Sequence, residues 1–346
     1  MNNFFAFRNK SGTVSFQMAK KTLIIFLLLS FISFLLFILS LSIGSSFISP
    51  QTVIKHLFGY GSGEYEFILN TLRLPRVLLA FMVGAALAVS GLILQSVIRN
   101  PLASPDIIGV TAGASVGAII FIVFFMGMAS LKLLPLMAIF GAMTVAIIIY
   151  LLAWNKGVTP IRLVLIGIGV AAAMKAIVMM MIVLSDTAVT TKAYLWLTGS
   201  LYGTNMQNVY SMLPWIVIFI PLSLLFARTV SVKELGDDVA TGLGVKVQTQ
   251  RFLLIFISVA LAGSSVAFAG GIEFVGLIAP HIARMLIGRS FAGLVPISAL
   301  IGGMIVVLAD IVGRTAFLPL DIPAGVFTAG IGAPFFIYLL FRNRNM

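Results

Sequence analysis

Nearly uncharged runs alternate with short polar stretches along this chain. They occupy residues 22–43, 77–98, 107–126, 133–154, 163–184, 209–227, 252–272, 294–313 and 322–341, with Lys175 interrupting the fifth. Roughly 20 helical residues cross the hydrocarbon core of a bilayer, so each run is predicted to be a transmembrane helix. Residues 1–21 are polar and basic, with Arg8, Lys10, Lys20 and Lys21 and no acid. The run after them is too long for a signal-peptide core and lacks a small-residue cleavage site. It reads as the first span, entered from the cytoplasm. A tenth apolar segment, 274–287, is short and contains Pro280, His281 and Arg284.

Charge decides whether that segment counts. With ten spans both termini lie on one side, and fifteen Lys and Arg fall in cytoplasmic segments against six in outer ones. Basic residues accumulate in cytoplasmic loops, so ten spans with cytoplasmic termini are predicted. The expected organisation is an N-terminal segment, 1–21, followed by a single membrane domain, 22–346, whose longest cytoplasmic loop is 228–251. Composition agrees: 60% of residues are hydrophobic, 9% are charged and mean hydropathy is +1.15, whereas soluble domains are about a quarter charged. The net charge of +12 is scattered over loop positions rather than gathered into a nucleic-acid-binding stripe. With no cysteine there is no disulfide, thiolate metal site or thiol catalysis. His56 and His281 are too few and too far apart for a metal centre. No nucleophile–base pair and no phosphate-binding loop is present, so no enzymatic activity and no cofactor are expected.

The stretch 268–289 stands out. Gly270 and Gly271 loosen the backbone, Pro280 removes a donor, and Glu273, His281 and Arg284 are polar. Broken backbone at membrane depth must be buried in protein or line a wet cavity, so the stretch is predicted to line a cavity inside the bundle; a simple inter-helix turn is the alternative. Small residues crowd other runs, as at Gly84, Ala85, Ala86 and Gly91 and at Gly302 and Gly303, and let helices approach closely.

This stretch also carries a resemblance. The pattern F-x-G-x-I-x-F-x-G-L-x-x-P-H-x-x-R stands here as Phe268, Gly270, Ile272, Phe274, Gly276, Leu277, Pro280, His281 and Arg284, with one spacing shift near Phe268. It resembles the hallmark segment of the iron–siderophore and vitamin B12 permeases (FecCD type) of ATP-binding-cassette importers. Other stretches match the same family, including Arg99, Asn100, Pro101, Leu102 and Ala103. The resemblance implies an all-α, ten-helix permease that works by alternating access. Its partners would be two ATPase subunits, a second permease chain, identical or homologous, and an extracellular or periplasmic binding protein. Its cargo would be an iron(III)–siderophore, a related iron chelate, haem or cobalamin.

The resemblance also assigns residues. Arg73 and Arg76, in LRLPR before the second span, share a helical face at i, i+3; alone, either could be a snorkelling anchor. In the family the matching arginines dock glutamates of the binding protein, and Arg314 matches a third. Asn100 and Leu102 match a cytoplasmic gate, joined by Thr159. In the loop 228–251, Leu235, Val239 and Leu243 suggest short amphipathic helices, and Ala240, Leu243 and Gly244 are similar to the coupling helices seated on the ATPase. Gly276, Pro280, His281 and Arg284 form the family motif. A rival reading makes the chain an ion-coupled transporter using Glu273 and Asp310, since intramembrane carboxylates are functional candidates.

Overall fold

In a computed structural model, residues 4–8, 15–61 and 63–342 are described; Lys10 and Arg344 of the cytoplasmic basic set lie outside them. The N-terminal segment contributes an antiparallel hairpin of β1 (Phe4–Arg8) and β2 (Ser15–Ala19), with Phe4 opposite Ala19. The rest is helical. Among the described residues, eight helices are long and apolar enough to cross a membrane, and two shorter apolar helices, Val110–Phe125 and Val275–Ile287, complete the ten runs.

Helix α1 (Lys20–Ser42) is apolar all round and leaves Leu27, Phe31, Phe34 and Leu35 exposed, the behaviour of a helix facing lipid. After it, α2 (Pro50–Leu57) is a short outer helix capped by Ser49, whose side chain accepts the Thr52 amide at 3.2 Å. Helix α3 (Leu74–Ile98) is the axle of the molecule. It is preceded by a wide helical turn, Ile68–Arg73, so that the continuous rod spans Ile68–Ile98 and its membrane stretch is 89% buried. The wide turn precedes Pro75, which lacks a donor, so the rod begins nine residues before the uncharged run that starts at residue 77.

Helices α4 (Val110–Ile120), α5 (Leu134–Leu152) and α6 (Pro160–Val183) follow. An outer helix, α7 (Thr187–Leu197), then leads to α8 (Met206–Leu225). The long inner loop folds into α9 (Ala227–Lys233) and α10 (Asp237–Gly242). Helix α11 (Val247–Ala269) is largely buried; the broken segment from Gly270 to Phe274 separates it from α12 (Val275–Ile287). Helices α13 (Phe291–Thr315) and α14 (Ala324–Arg342) complete the chain.

Small residues set the spacing around α3. A Cβ on Gly84 would lie 2.1 Å from the Gly302 carbonyl oxygen, and one on Gly91 would lie 1.9 Å from that of Gly276. Helices α13 and α12 therefore cross α3 backbone to backbone, the close approach that small residues permit where no hydrophobic drive acts between helices. Toward α11, the Ser90 and Ser258 hydroxyls meet at 2.7 Å. The core is thus α3 with α11, α12 and α13, and α1, α6 and α8 form its apolar periphery.

Candidate functional site

At the outer end the three arginines are turned inward. Arg73 is buried; its Nη1 donates to the Leu41 and Ser42 carbonyls at 2.7 and 3.0 Å, and its Nη2 donates to the Ser46 carbonyl at 2.5 Å. Arg76 donates through Nε to Asp310 at 2.8 Å and grips Asp321 bidentately at 2.6 and 2.9 Å. Arg314 is buried and donates to the Ser40 carbonyl at 2.5 Å and its hydroxyl at 2.7 Å, with Nε 3.5 Å from Asp310. Arg73 and Arg314, which the resemblance matches to docking arginines, are both buried here and hold the end of α1 onto the outer end of the core. Asp310, only 1% exposed, lies between Arg76 and Arg314. Held by two cations, it has no freedom to load and release an ion, so the ion-coupled reading loses one of its two carboxylates.

The inner end holds a second charged junction. Arg99 caps α3 in the left-handed conformation (φ 55°), and the Asn100 side chain accepts the Leu102 amide at 2.9 Å, a local Asx turn. Asn100 and Thr159 are exposed and Leu102 is half-buried. Asp237, at the start of α10, pairs with Arg99 through one carboxylate oxygen and with Arg251 of α11 through the other, the latter at 2.6 Å. Arg251, fully buried, also donates to the Val158 carbonyl in the turn before α6, and Gln248 accepts the Val158 amide at 3.0 Å. One aspartate therefore ties the α3 corner, the loop helices and the turn into α6 together. Burial pushes the Asp237 carboxyl up, but the hydrogen bond and charge of Arg251, with Arg99 and Lys233, hold it below its ordinary value. Lys233, nearly fully buried, has no hydrogen-bond partner for Nζ among the described residues; burial, then Arg251 and Arg99, lower its pKa to about 8 against the pull of Asp237.

Above this junction, Leu235, Val239 and Leu243 are exposed on α9, α10 and the turns that join them. Ala240, expected on the same docking surface, is fully buried beneath it. Gly244 turns the chain at φ +81°.

The motif stretch is core rather than cavity wall. Phe274, left-handed at φ 66°, starts α12; Gly276 lies against Gly91, and its carbonyl accepts Gln95 Nε2 at 3.2 Å. Pro280 is buried, the His281 ring meets Phe335 edge-on at 5.8 Å, and Arg284 is half-buried. Only its start, Gly271 and Glu273, lines a void. That cavity, of ≈ 340 Å³, lies between α4, α6 and α7 and is also lined by Asp106 and Lys175. Asp321, Asp237, Arg251 and Lys233 were not picked out in the sequence as members of these clusters. Only Asp310 and Arg314, at i, i+4, carry a local pairing signal.

A family model described as the FecCD transport family matches residues 31–342. The achromobactin transport system permease protein of Dickeya dadantii (strain 3937) is 48% identical over 306 residues, covering 88% of each chain. The iron(3+)-hydroxamate import system permease protein of Bacillus subtilis (strain 168) is 43% identical over 328 residues, covering 93% of this chain and 98% of that one. A solved metal-chelate type ABC transporter in an inward-facing conformation is 32% identical with a TM-score of 0.82, covering 92% of this chain and 99% of that one. The match runs nearly the whole length of these relatives and includes all three structural regions described above: the chain belongs to the FecCD transport family.

Proposed function

We propose that this chain is the permease subunit of a binding-protein-dependent importer of the cytoplasmic membrane, and that it carries an iron(III) chelate of the siderophore class inward. Two separate ATPase subunits would drive it, and a second permease chain, identical or homologous, would enclose the pathway with it. Relatives that carry achromobactin and iron(3+)-hydroxamate support the substrate class.

The observation that carries the coupling half of this reading is the junction at Asp237. An exposed apolar patch, Leu235, Val239 and Leu243, sits on short helices that would be marginal alone. Asp237 fastens those helices to Arg99 at the end of the axle and, through Arg251, to the turn before α6. A push on the patch reaches the Asn100–Leu102 corner, proposed as the gate, through Arg99 and reaches Thr159 through Arg251 and Val158. On the outer face, Arg76 is the arginine a binding-protein carboxylate could reach, by displacing Asp321 at the rim; Asp321 is 25% exposed while Asp310 is sealed. No observation favours ion coupling over this.

The test is uptake of radiolabelled iron(III) chelate by vesicles holding the permease, its ATPase and its binding protein. Leu235→Asp with Leu243→Asp should lower ATP-dependent uptake at least tenfold while the permease still inserts. Normal uptake by this double variant would place the docking surface elsewhere, and wild-type uptake driven by an ion gradient without ATP would overturn the importer reading.

A further inference from the structure

The cavity between α4, α6 and α7 carries charged groups that the coupling and packing roles leave unused. Its polar lining is Asp106, Thr111, Ser115, Lys175, Tyr194 and Glu273. Lys175 is the sixteenth residue of α6, about 22 Å along the helix at a 1.5 Å rise per residue, so its ammonium belongs to the membrane interior. Charges there are expensive unless they are paired or face a wet cavity. Among the described residues, neither Lys175 nor Glu273 has an ion pair or hydrogen bond, although they line the same void. Asp106 differs: it accepts the Thr111 hydroxyl. One ammonium and one carboxylate thus face a common space without a direct ion pair, with a second carboxylate beside them.

Such an arrangement suits a ligand that brings its own complementary groups. Two carboxyl groups against one ammonium make the lining unfavourable to a polyanionic chelate, which would meet like charge there. A ligand with a protonated amine places it on Glu273, Asp106 being engaged by Thr111, and a neutral chelate face offers its oxygens to Lys175. The volume of ≈ 340 Å³ is at the lower end of small-ligand pockets, enough for one arm of a chelate. Resting on the importer reading above, we infer that this cavity is a substrate subsite within the permease. It selects iron(III) hydroxamate chelates bearing a free ammonium arm, with Glu273 as the group that reads the charge and Lys175 as the group that holds the oxygen face.

The experiment uses two probes that differ in one charge: an iron(III) trihydroxamate with a free primary amine, and the same chelate with that amine acetylated. Equilibrium dialysis of the iron-labelled chelates against the purified permease–ATPase complex, without binding protein, removes any upstream selection. The amine form should bind the wild type at least fivefold tighter than the acetylated form. Glu273→Gln should bring that ratio to about one and leave the acetylated form unchanged. Lys175→Gln should weaken both forms by a similar factor and keep the ratio. A ratio that Glu273→Gln does not move, or no binding of either probe, overturns the subsite. ATP-dependent uptake with the binding protein present tests the importer reading separately, so a permease that transports iron chelates yet binds neither probe would sink the subsite alone.

Discussion

A carboxylate with 1% exposure between two guanidinium groups is where the cost of a buried charge is concentrated in this chain. Removing one member of a buried ion pair leaves the other charge uncompensated and costs about 3–5 kcal/mol, whereas an exposed pair contributes about 0–1 kcal/mol. Asp310→Asn should therefore lower the thermal stability of the purified permease substantially, because Arg314 loses its one described counter-charge and Arg76 is left with Asp321 alone. Asp321→Asn, at the rim, should change it little, since Arg76 keeps Asp310. Equal stability losses for the two variants would show that the outer arginines are not a structural clasp. The pairing of Arg76 was not visible in the sequence, because Asp310 and Asp321 stand 234 and 245 residues from it. Only the oddity of arginines at an outer helix mouth was legible, and it was read as docking.

At the scale of elements, the loop from Ala227 to Gly242 is the piece whose chemistry makes coupling testable. Asp237 is its only described link by ion pair to both Arg99 and Arg251, so Asp237→Ala should leave ATP hydrolysis in the assembled transporter while uptake falls at least tenfold. The pH response of the same loop has a definite sign. A lysine in an unfolded chain titrates near about 10.4, and Lys233 titrates at about 8 when folded. Between those values the folded loop binds fewer protons than the unfolded one, so stability rises with pH across that window and the gain is lost as pH falls through about 8. Lys233→Met, measured by thermal unfolding of the same complex, should flatten that rise. An unchanged profile, together with Asp237→Ala uptake like wild type, would remove the junction from the coupling path. Hydropathy found the spans because runs of about 20 apolar residues have few alternative fates. It missed α7, whose stretch Thr187–Leu197 is cut by threonines and Lys192, and the N-terminal hairpin, which strand periodicity in a polar segment had not suggested.

For the whole molecule, the decisive geometry is the contact of α3 with α12 and α13, because it sets where every other helix lies. Sequence marked the small residues as places where helices can approach closely. It read the motif around Gly276 as cavity lining, since neither pattern says which glycine faces which. The structure pairs Gly91 with Gly276 so closely that one methyl group has nowhere to go: it would lie 1.9 Å from a backbone oxygen, which no side-chain rotation relieves. Overpacking in a core costs about 1–3 kcal/mol and occasionally more, and a clash with backbone falls at the upper end. Gly91→Ala should therefore reduce the yield and thermal stability of the permease and abolish uptake, because α12, its Pro280 and the broken segment leading to Glu273 must all shift with it. Gly330→Ala is the matched comparison: it lies in α14, exposed, with nothing within 4 Å of the added methyl. Replacing a helical glycine there should be neutral or stabilising by up to about 1 kcal/mol. If Gly91→Ala assembles and transports like Gly330→Ala, α3 and α12 do not cross backbone to backbone, and the motif's glycine is held for some other reason than packing.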